Sequence, residues 1–306
     1  MAYETFIPTV WNESLNRALE TKLTFAKHTN REYEGDVKQK GDSVRILNVG
    51  RPTIHEKTTD DKLELHTNLA APEVVDNSSI TMPIKQIRYY NYYVGDIDQV
   101  QMLNDGKVMA AYQDETASGL ALSIDKYLGQ VVLPTAPVLV NDFADSTYGY
   151  IKITTGDSVT TSGSEAQNVL ELLDDIVEAA RKKNIPDSEK IYVSLSPKLE
   201  KLIRRALISV NTDNTETIEG KSYLKYYNLR IEWSNNVKTV AAVTGQNAAY
   251  EYLTARSEKA AAYVHAHTHA EPYRPEKGFA DAIKGFILFD GMVTRPDEIF
   301  NVLVTY

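Results

Sequence analysis

The longest helical pattern in the chain lies in residues 96–132, DIDQVQMLNDGKVMAAYQDETASGLALSIDKYLGQVV. Apolar residues recur in this stretch at the spacing of one helix face: Val100, Leu103, Ala110, Ala111, Ala117, Leu120, Ala121, Ile124 and Leu128. Asp98 and Gln101 predict a capping-box-like start, and Pro134 predicts the end. Such a helix is roughly 50 Å long at ~1.5 Å per residue. The stretch therefore predicts a spine along which the other layers of an extended protein are laid.

Gly106 and Gly119 lie in the interior of the predicted spine helix. Each lowers helix propensity by roughly 1 kcal/mol relative to alanine. The helix must therefore be held by packing or bend at one of these positions. The alternative is two ordinary helices that are separated at Gly106.

The composition indicates a soluble folded chain. Of 306 residues, 42% are hydrophobic and 25% are charged, and no run approaches the ~18 apolar residues of a membrane span. The first residues have neither the basic nor the apolar segment of a signal peptide. The chain has no cysteine, which excludes disulfides, thiolate metal sites and cysteine nucleophiles and suits a reducing cytoplasm.

The charge balance argues against tight nucleic-acid binding as the main task. The formal net charge is −9, from 42 acidic and 33 basic residues, whereas phosphate-backbone binding needs clustered Lys and Arg. An acidic protein can still line a container whose nucleic-acid contents must not adhere to the wall. The 19 tyrosines suit extensive semi-polar interfaces, or equally half-buried strand positions.

The region before the spine predicts one helix and a projecting ribbon. An amphipathic helix is expected from Trp11 to His28, and a strand contains Val44 and Ile46. The strand-like runs Thr53–Lys57 and Ser79–Tyr93 flank a polar segment and predict a long two-stranded excursion. A two-stranded ribbon is marginally stable alone in water. A neighbouring subunit would therefore cover it, unless the hairpin folds back on its own sheet.

Residues 138–255 predict a compact α/β unit. Strand Tyr148–Thr154 precedes a helix that Ser164 and Gln167 would cap and that ends near Asn184. Strand Lys190–Leu195 follows, then a helix from Ser196-Pro197 to about Leu207, and strand Leu229–Trp233. The final strands Ala260–His269, Gly285–Asp290 and Ile299–Thr305 are expected to pack with residues 31–132, which makes the α/β unit an insertion.

One constellation could bind a metal ion, the row His265-Ala-His267-Thr-His269. Residues i, i+2 and i+4 share one side of a strand, although they spread over ~13 Å. Zinc requires ligands that converge at about 2 Å, so a solvent- or interface-facing row is the alternative. The segment Arg88-Tyr-Tyr-Asn-Tyr-Tyr93 mixes one cation with aromatic groups, as in base stacking, but a single cation is weak support.

Other catalytic signatures are absent from the sequence. It contains no nucleotide-binding glycine loop, no nucleophile elbow and no HExxH zinc motif. Ser162-Gly163-Ser164 could bind an anion at a helix start, but capping explains the same residues. We therefore expect no enzyme activity, no catalytic residue and no cofactor.

Two groups of motifs near the ends of the chain carry a family resemblance. The first runs from Ile7-Pro-Thr-Val-Trp11 to Asn30-Arg-Glu-Tyr-Glu-Gly-Asp36 and Lys40-Gly-Asp-Ser-Val-Arg-Ile46. The second comprises Tyr273-Arg-Pro-Glu-Lys-Gly-Phe279, Asp281-Ala-Ile-Lys-Gly285 and Val293-Thr-Arg-Pro296. Together they resemble the major capsid proteins of tailed bacteriophages, which have the Hong Kong 97-type fold.

The resemblance implies an α+β chain with a long spine helix, an extended two-stranded loop and an inserted α/β axial domain. It implies an N-terminal arm at 1–30, the strand and extended loop at 31–95, the spine helix of a peripheral domain at 96–137, the axial domain at 138–255 and a return to the peripheral domain at 256–306. The residues expected at subunit contacts are Trp11, Leu15, Lys57, Lys62, Leu63 and Leu65.

The implied function is a coat protein that self-assembles from hexamers and pentamers into an icosahedral shell around double-stranded DNA. A portal would be a partner, and scaffolding and decoration proteins are further candidates. The shell would enclose DNA without sequence-specific binding. No membrane partner is expected. The protein would be assembled in the host cytoplasm and reside in the virion. The alternatives are an encapsulin-like cellular nanocompartment and a metal-dependent α/β enzyme that uses His265, His267 and His269.

Overall fold

A computed structural model describes most of the chain. The described residues are 23–33, 43–48, 52–55, 71–75, 78–95, 107–139, 150–154, 166–209, 215–218, 221–242, 249–276 and 278–305. The strands are β1 (Ser43–Asn48), β2 (Ser78–Pro83), β3 (Gln86–Gly95), β4 (Tyr150–Thr154), β5 (Ala166–Asn168), β6 (Ile191–Leu195), β7 (Thr215–Ile218), β8 (Lys221–Tyr226), β9 (Leu229–Trp233), β10 (Thr239–Val240), β11 (Tyr250–Ser257), β12 (Ala261–Tyr273), β13 (Ala280–Val293) and β14 (Ile299–Thr305). The helices are α1 (Lys107–Tyr127), α2 (Val169–Lys182) and α3 (Pro197–Ser209).

Helix α1 is the described part of the predicted spine. It continues without interruption into a π-helical turn, Leu128–Val132, and a 3-10 turn, Leu133–Thr135. The predicted buried stripe is confirmed at Ala117, Leu120, Ala121, Ile124 and Leu128. Asp98 and Gly106 lie outside the described residues, so neither the predicted cap nor the predicted break is tested. Pro134 lies in the 3-10 turn, two residues beyond the π-helical turn.

The described strands form three sheets, which are the two-stranded pair β1-β2 and two others, called here the smaller and the larger sheet. The smaller has the strand order β12-β13-β3, with all pairs antiparallel. The larger has nine strands in the order β5-β4-β14-β11-β6-β9-β8-β7, with β10 paired to β11. Helices α2 and α3 bury Leu173, Ile176 and Ile203 in the core of the larger sheet. No described helix is long and apolar enough to cross a membrane.

Several predicted elements are confirmed, with revised ends. β6, β9, β12, β13 and β14 follow the predicted strands, and α3 begins at Pro197 with the Ser196 hydroxyl oxygen accepting the Leu199 amide hydrogen at 3.3 Å. Helix α2 starts later than predicted, because residues 166–168 form strand β5 beside β4. Its N-cap is Asn168, whose side chain accepts from the Leu170 amide, so the predicted Ser164 and Gln167 capping box is wrong.

Three other predictions are corrected by tertiary contacts. The run Ser79–Tyr93 divides into β2 and β3, which belong to different sheets. The described end of the first predicted helix, Leu23–Phe25, is not helical, and only a 3-10 turn at Ala26–His28 follows. Strand β14 lies between β4 and β11 in the larger sheet, not with β12 and β13 as the sequence grouping expected.

Candidate assembly surface

A two-stranded ribbon projects from the smaller sheet. Strands β1 and β2 pair from Ser43 opposite Pro83 to Asn48 opposite Ser78. Beyond this ladder, the Thr53 amide donates a hydrogen bond to the Glu73 carboxylate. This hydrogen bond lowers the pKa of Glu73. The described segments 52–55 and 71–75 are therefore in contact, although the predicted run Thr53–Lys57 is not a strand in its described part, Thr53–His55.

The ribbon has apolar side chains that are buried at its base and exposed beyond the ladder. At the base, Val44, Ile46 and Met82 pack against Val264 and Ala266 of β12. Beyond the ladder, the segments 52–55 and 71–75 carry Pro52, Ile54, Pro72 and Val74, and all four are exposed. The exposed fractions of Ile54 and Val74 are 82% and 91%. Large apolar side chains at such exposure, on a projecting element, are typical of a surface that another protein covers.

The smaller sheet also has an uncovered patch. One face packs on the spine, with Ile287 and Phe289 buried against α1. The ribbon base covers one end of the opposite face, at Leu288 and Met292. Strand β3 leaves the rest of its face open, because Ile87, Tyr89 and Tyr93 are 55%, 81% and 73% exposed. We call these three residues the β3 patch.

Residues 23–30 form a segment that joins the spine to the larger sheet. The Asp125 carboxylate of α1 accepts the Thr24 amide hydrogen at 2.8 Å and the Phe25 amide hydrogen at 3.1 Å. Arg256 of β11 donates to the carbonyl oxygens of Phe25 at 2.9 Å and His28 at 3.3 Å. The segment is thus fixed by one acid and one base from two different elements.

The charged groups around this segment are buried together. Arg256 is fully buried and also donates to the Ser194 hydroxyl at 3.3 Å, which in turn donates to Glu232 at 3.2 Å. Burial lowers the pKa of Arg256, and the nearby carboxylates of Glu232 and Asp125 oppose that shift. Burial raises the pKa of Asp125 to about 6, against the hydrogen bonds from Thr24 and Phe25. Charges at such depth require mutual compensation.

His265 and His269, the members of the histidine row whose side chains the structure describes, do not converge on one point. A β-bulge between His265 and His267 shifts the register, so that His265 lies opposite Phe289 and His269 lies opposite Phe286. Neighbours along a strand alternate between faces, and Phe289 and Phe286 are three positions apart, so His265 and His269 lie on opposite faces of the sheet. His269 instead approaches Glu271 at 3.6 Å. Among the described residues no group of three potential metal ligands comes together.

The predicted contact residues stay predictions. Trp11, Leu15, Lys57, Lys62, Leu63 and Leu65 all lie outside the described residues. Neither Ile54 and Val74 nor the β3 patch was predicted to be exposed. The available signal lies in residues 86–93, where odd positions carry Ile87, Tyr89 and Tyr93 and even positions carry Tyr90 and Tyr92, so both faces of one strand bear apolar or aromatic side chains. Nothing in the local sequence marks Arg256 as buried.

Comparison with solved structures finds similar folds across nearly the whole chain. A structure from Mycobacterium phage Che8 is 21% identical with a TM-score of 0.62, and the match covers 100% of this chain and 94% of that one. The mature capsid of bacteriophage PhiM1 is 16% identical with a TM-score of 0.61, covering 90% and 87%. The holo-SrpI encapsulin complex from Synechococcus elongatus PCC 7942 is 9% identical with a TM-score of 0.54, covering 86% and 81%.

Comparison with family models and with curated protein sequences finds no match. The identities to the solved structures are low, so the likeness establishes the fold and leaves the function to be argued from this chain's own surfaces.

Proposed function

We propose that this chain, which has the α+β Hong Kong 97-type fold of phage capsid subunits, is the major capsid protein of a tailed bacteriophage. It self-assembles into an icosahedral shell that encloses double-stranded DNA, and its role is structural. The observation that carries the proposal is the ribbon, whose apolar side chains are buried on their own chain at Val44 and left uncovered at Ile54 and Val74. Self-assembly would place a second copy of the chain over these exposed side chains.

Subunits in this proposal meet head to tail, so that the ribbon of one chain lies on a different surface of the next. Heterologous contacts of this kind close into rings when the rotation permits, and hexamers and pentamers are such rings. The β3 patch is a surface of matching apolar character. Trp11, Leu15, Lys57, Lys62, Leu63 and Leu65 remain the proposed further contact residues.

The division into an arm, an extended loop, a spine, an axial domain and a return segment belongs to the same proposal. So do the portal, scaffolding and decoration partners, assembly in the host cytoplasm and residence in the virion. The net charge of −9 suits a wall along which packaged DNA moves without adhering.

A substitution in the ribbon tests the proposal. We expect Ile54→Asp to block particle formation, because a carboxylate on the covered face would be desolvated. The unassembled subunit should keep its circular dichroism spectrum, since Ile54 has few contacts with its own chain. Particle formation is measured by sedimentation velocity and electron microscopy, in the presence of scaffold if one is needed.

The matched control is His55→Asp, which introduces the same acid at the next position, where an exposed polar side chain already stands. We expect this variant to assemble. A chain that remains monomeric under all conditions, or an Ile54→Asp variant that assembles normally, would contradict the proposal.

The second candidate is the shell of a cellular nanocompartment, and the likeness to an encapsulin complex favours it. The contents of purified particles separate the two functions. Packaged double-stranded DNA supports a phage head, whereas a protein cargo without DNA supports a nanocompartment. Phage genes beside the coding sequence would also support a phage head.

A further inference from the structure

Helices α2 and α3 carry opposite charges on their outer surfaces. They lie side by side and bury their apolar residues in one core of the larger sheet. Outside that core, α2 carries four carboxylates, ahead of the two cations in its last turn. The exposed surface of α3 carries four cations instead. This concentration of cations on one helix contrasts with the formal net charge of −9 for the whole chain.

Part of this charge is balanced within each helix. Glu178 forms an ion pair with Lys182 at 2.6 Å, one turn later in α2. Arg204 pairs in the same way with Glu200, one turn earlier in α3. These contacts follow from the spacing of four positions along a helix, so they give no reason to expect another molecule at these four residues.

Two acids and two cations are not balanced in this way. Asp174 accepts a hydrogen bond from the Tyr226 hydroxyl at 2.8 Å, which leaves its negative charge in place. Among the residues that the structure describes, neither Asp174 nor Glu171 meets a cation, and neither Lys201 nor Arg205 meets a carboxylate. We call Glu171 and Asp174 the acidic stripe and Lys201 and Arg205 the basic stripe, because residues three or four apart share one side of a helix.

The two stripes do not neutralise each other within one chain, although their helices are neighbours. Each chain therefore presents one stripe of each sign, with two charges in each, to its surroundings. Two different and complementary patches on one subunit suit a head-to-tail contact, in which one patch of each copy meets the other patch of the next. The partner that such a surface fits is a second copy of this chain.

We propose that the basic stripe of one copy docks on the acidic stripe of the next copy around a ring of subunits. The ring itself rests on the assembly function proposed above. Complementary charges at a contact select the partner and its orientation more than they supply affinity. The stripes therefore fix the rotation between neighbours, because a wrong rotation brings like charges together, and the apolar ribbon supplies the affinity.

Charge reversal of each stripe tests the contact. Lys201→Glu with Arg205→Glu makes both stripes acidic, and Glu171→Lys with Asp174→Lys makes both basic. We expect each double variant alone to give about tenfold fewer particles than the wild type, or none, because like charges meet at every contact. Sedimentation velocity measures the particles, and circular dichroism checks that the variants fold. Glu171→Lys alone is the replacement if the second double variant does not fold.

A mixture of the two double variants in equal amounts is the decisive measurement. In an alternating ring every contact again joins opposite charges, so the mixture should form rings with an even number of subunits. A ring of five would keep one contact between like charges. Native mass spectrometry distinguishes the two ring sizes. The control, Lys126→Glu with Lys225→Glu, makes the same charge change at exposed positions outside the stripes and should assemble as the wild type does.

The outcomes separate this contact from the assembly function. Normal assembly of either reversed variant, beside wild-type particles, would overturn the contact and leave the assembly function standing. So would a loss of the same size in the control. Two folded variants that fail alone and also fail when mixed would show that another molecule, such as an acidic partner on α3, occupies the stripes, which overturns the proposal. A wild-type chain that never assembles would overturn both.

Discussion

Arg256 is a fully buried cation on β11, a strand in the interior of the larger sheet. Its hydrogen bonds reach residues more than 200 positions earlier in the chain, at Phe25 and His28. Removing one member of a buried charged group leaves the others uncompensated, which typically costs several kcal/mol. The connection between the spine and the larger sheet therefore depends on a few side chains.

Asp125 gives this connection a pH dependence. Its folded pKa is raised by burial from 3.8 to about 6, so the folded state binds the proton more tightly than the unfolded chain does. The contribution of Asp125 to stability is then fully present below about pH 4 and is lost as the pH rises through about 6. We expect the stability of the wild type relative to Asp125→Asn to fall by roughly 2–3 kcal/mol over that interval.

Urea unfolding of both proteins from pH 3.5 to 7.5 measures this difference. Other groups titrate in both proteins and cancel in the comparison. A difference that stays constant with pH would show that Asp125 titrates as an ordinary carboxyl.

At the scale of elements, the described part of the spine contains two glycines, one in a crowded position and one in open space. A Cβ on Gly129, in the π-helical turn, would lie 2.7 Å from the Asn236 carbonyl oxygen and 2.9 Å from the Phe25 ring. A Cβ on Gly119, in α1, would meet nothing within 4 Å. The first glycine permits close approach of the 23–30 segment, whereas the second only weakens the helix.

We expect Gly129→Ala to destabilise the chain by about 1–3 kcal/mol through overpacking. Gly119→Ala should stabilise it by about 0.5–1 kcal/mol, because alanine loses less conformational entropy in a helix. Thermal unfolding of the two variants should therefore shift in opposite directions. Shifts of the same sign would contradict the packing described for Gly129.

The boundary between β2 and β3 involves a contact with a distant part of the chain. The run Ser79–Tyr93 is strand-like throughout, and the structure divides it at Ile84 and Lys85, where the Lys85 amide donates to the Asp290 carboxylate at 3.0 Å. Asp290 is 205 residues away along the chain. Pro83, the last residue of β2, is a local signal for a break because proline cannot donate a ladder hydrogen bond, but the contact with Asp290 is not visible in the local pattern.

At the scale of the whole molecule, assembly must overcome the repulsion between like-charged copies. Each chain carries a formal charge of −9, and the screening length falls from roughly 10 Å at 0.1 M salt to about 3 Å at 1 M. We expect light scattering to show faster assembly as sodium chloride rises from about 50 to about 500 mM. Slower assembly at high salt would indicate that opposite-charge contacts, not the apolar ribbon, drive the association.

Sequence periodicity was enough to predict the described buried stripe of the spine, helices α2 and α3, strands β4, β6 and β9 and the three final strands, because helix and strand faces depend on residues only two to four positions apart. It missed β5, β7, β8 and β11 of the same α/β unit. The motifs at both ends indicated the fold. Only the tertiary structure decided that a bulge separates His265 from His269, that β5 delays the start of α2, that β14 joins the larger sheet and that Arg256 is buried. Register, strand order and desolvation are set by residues that are distant in sequence, so the local pattern does not contain them.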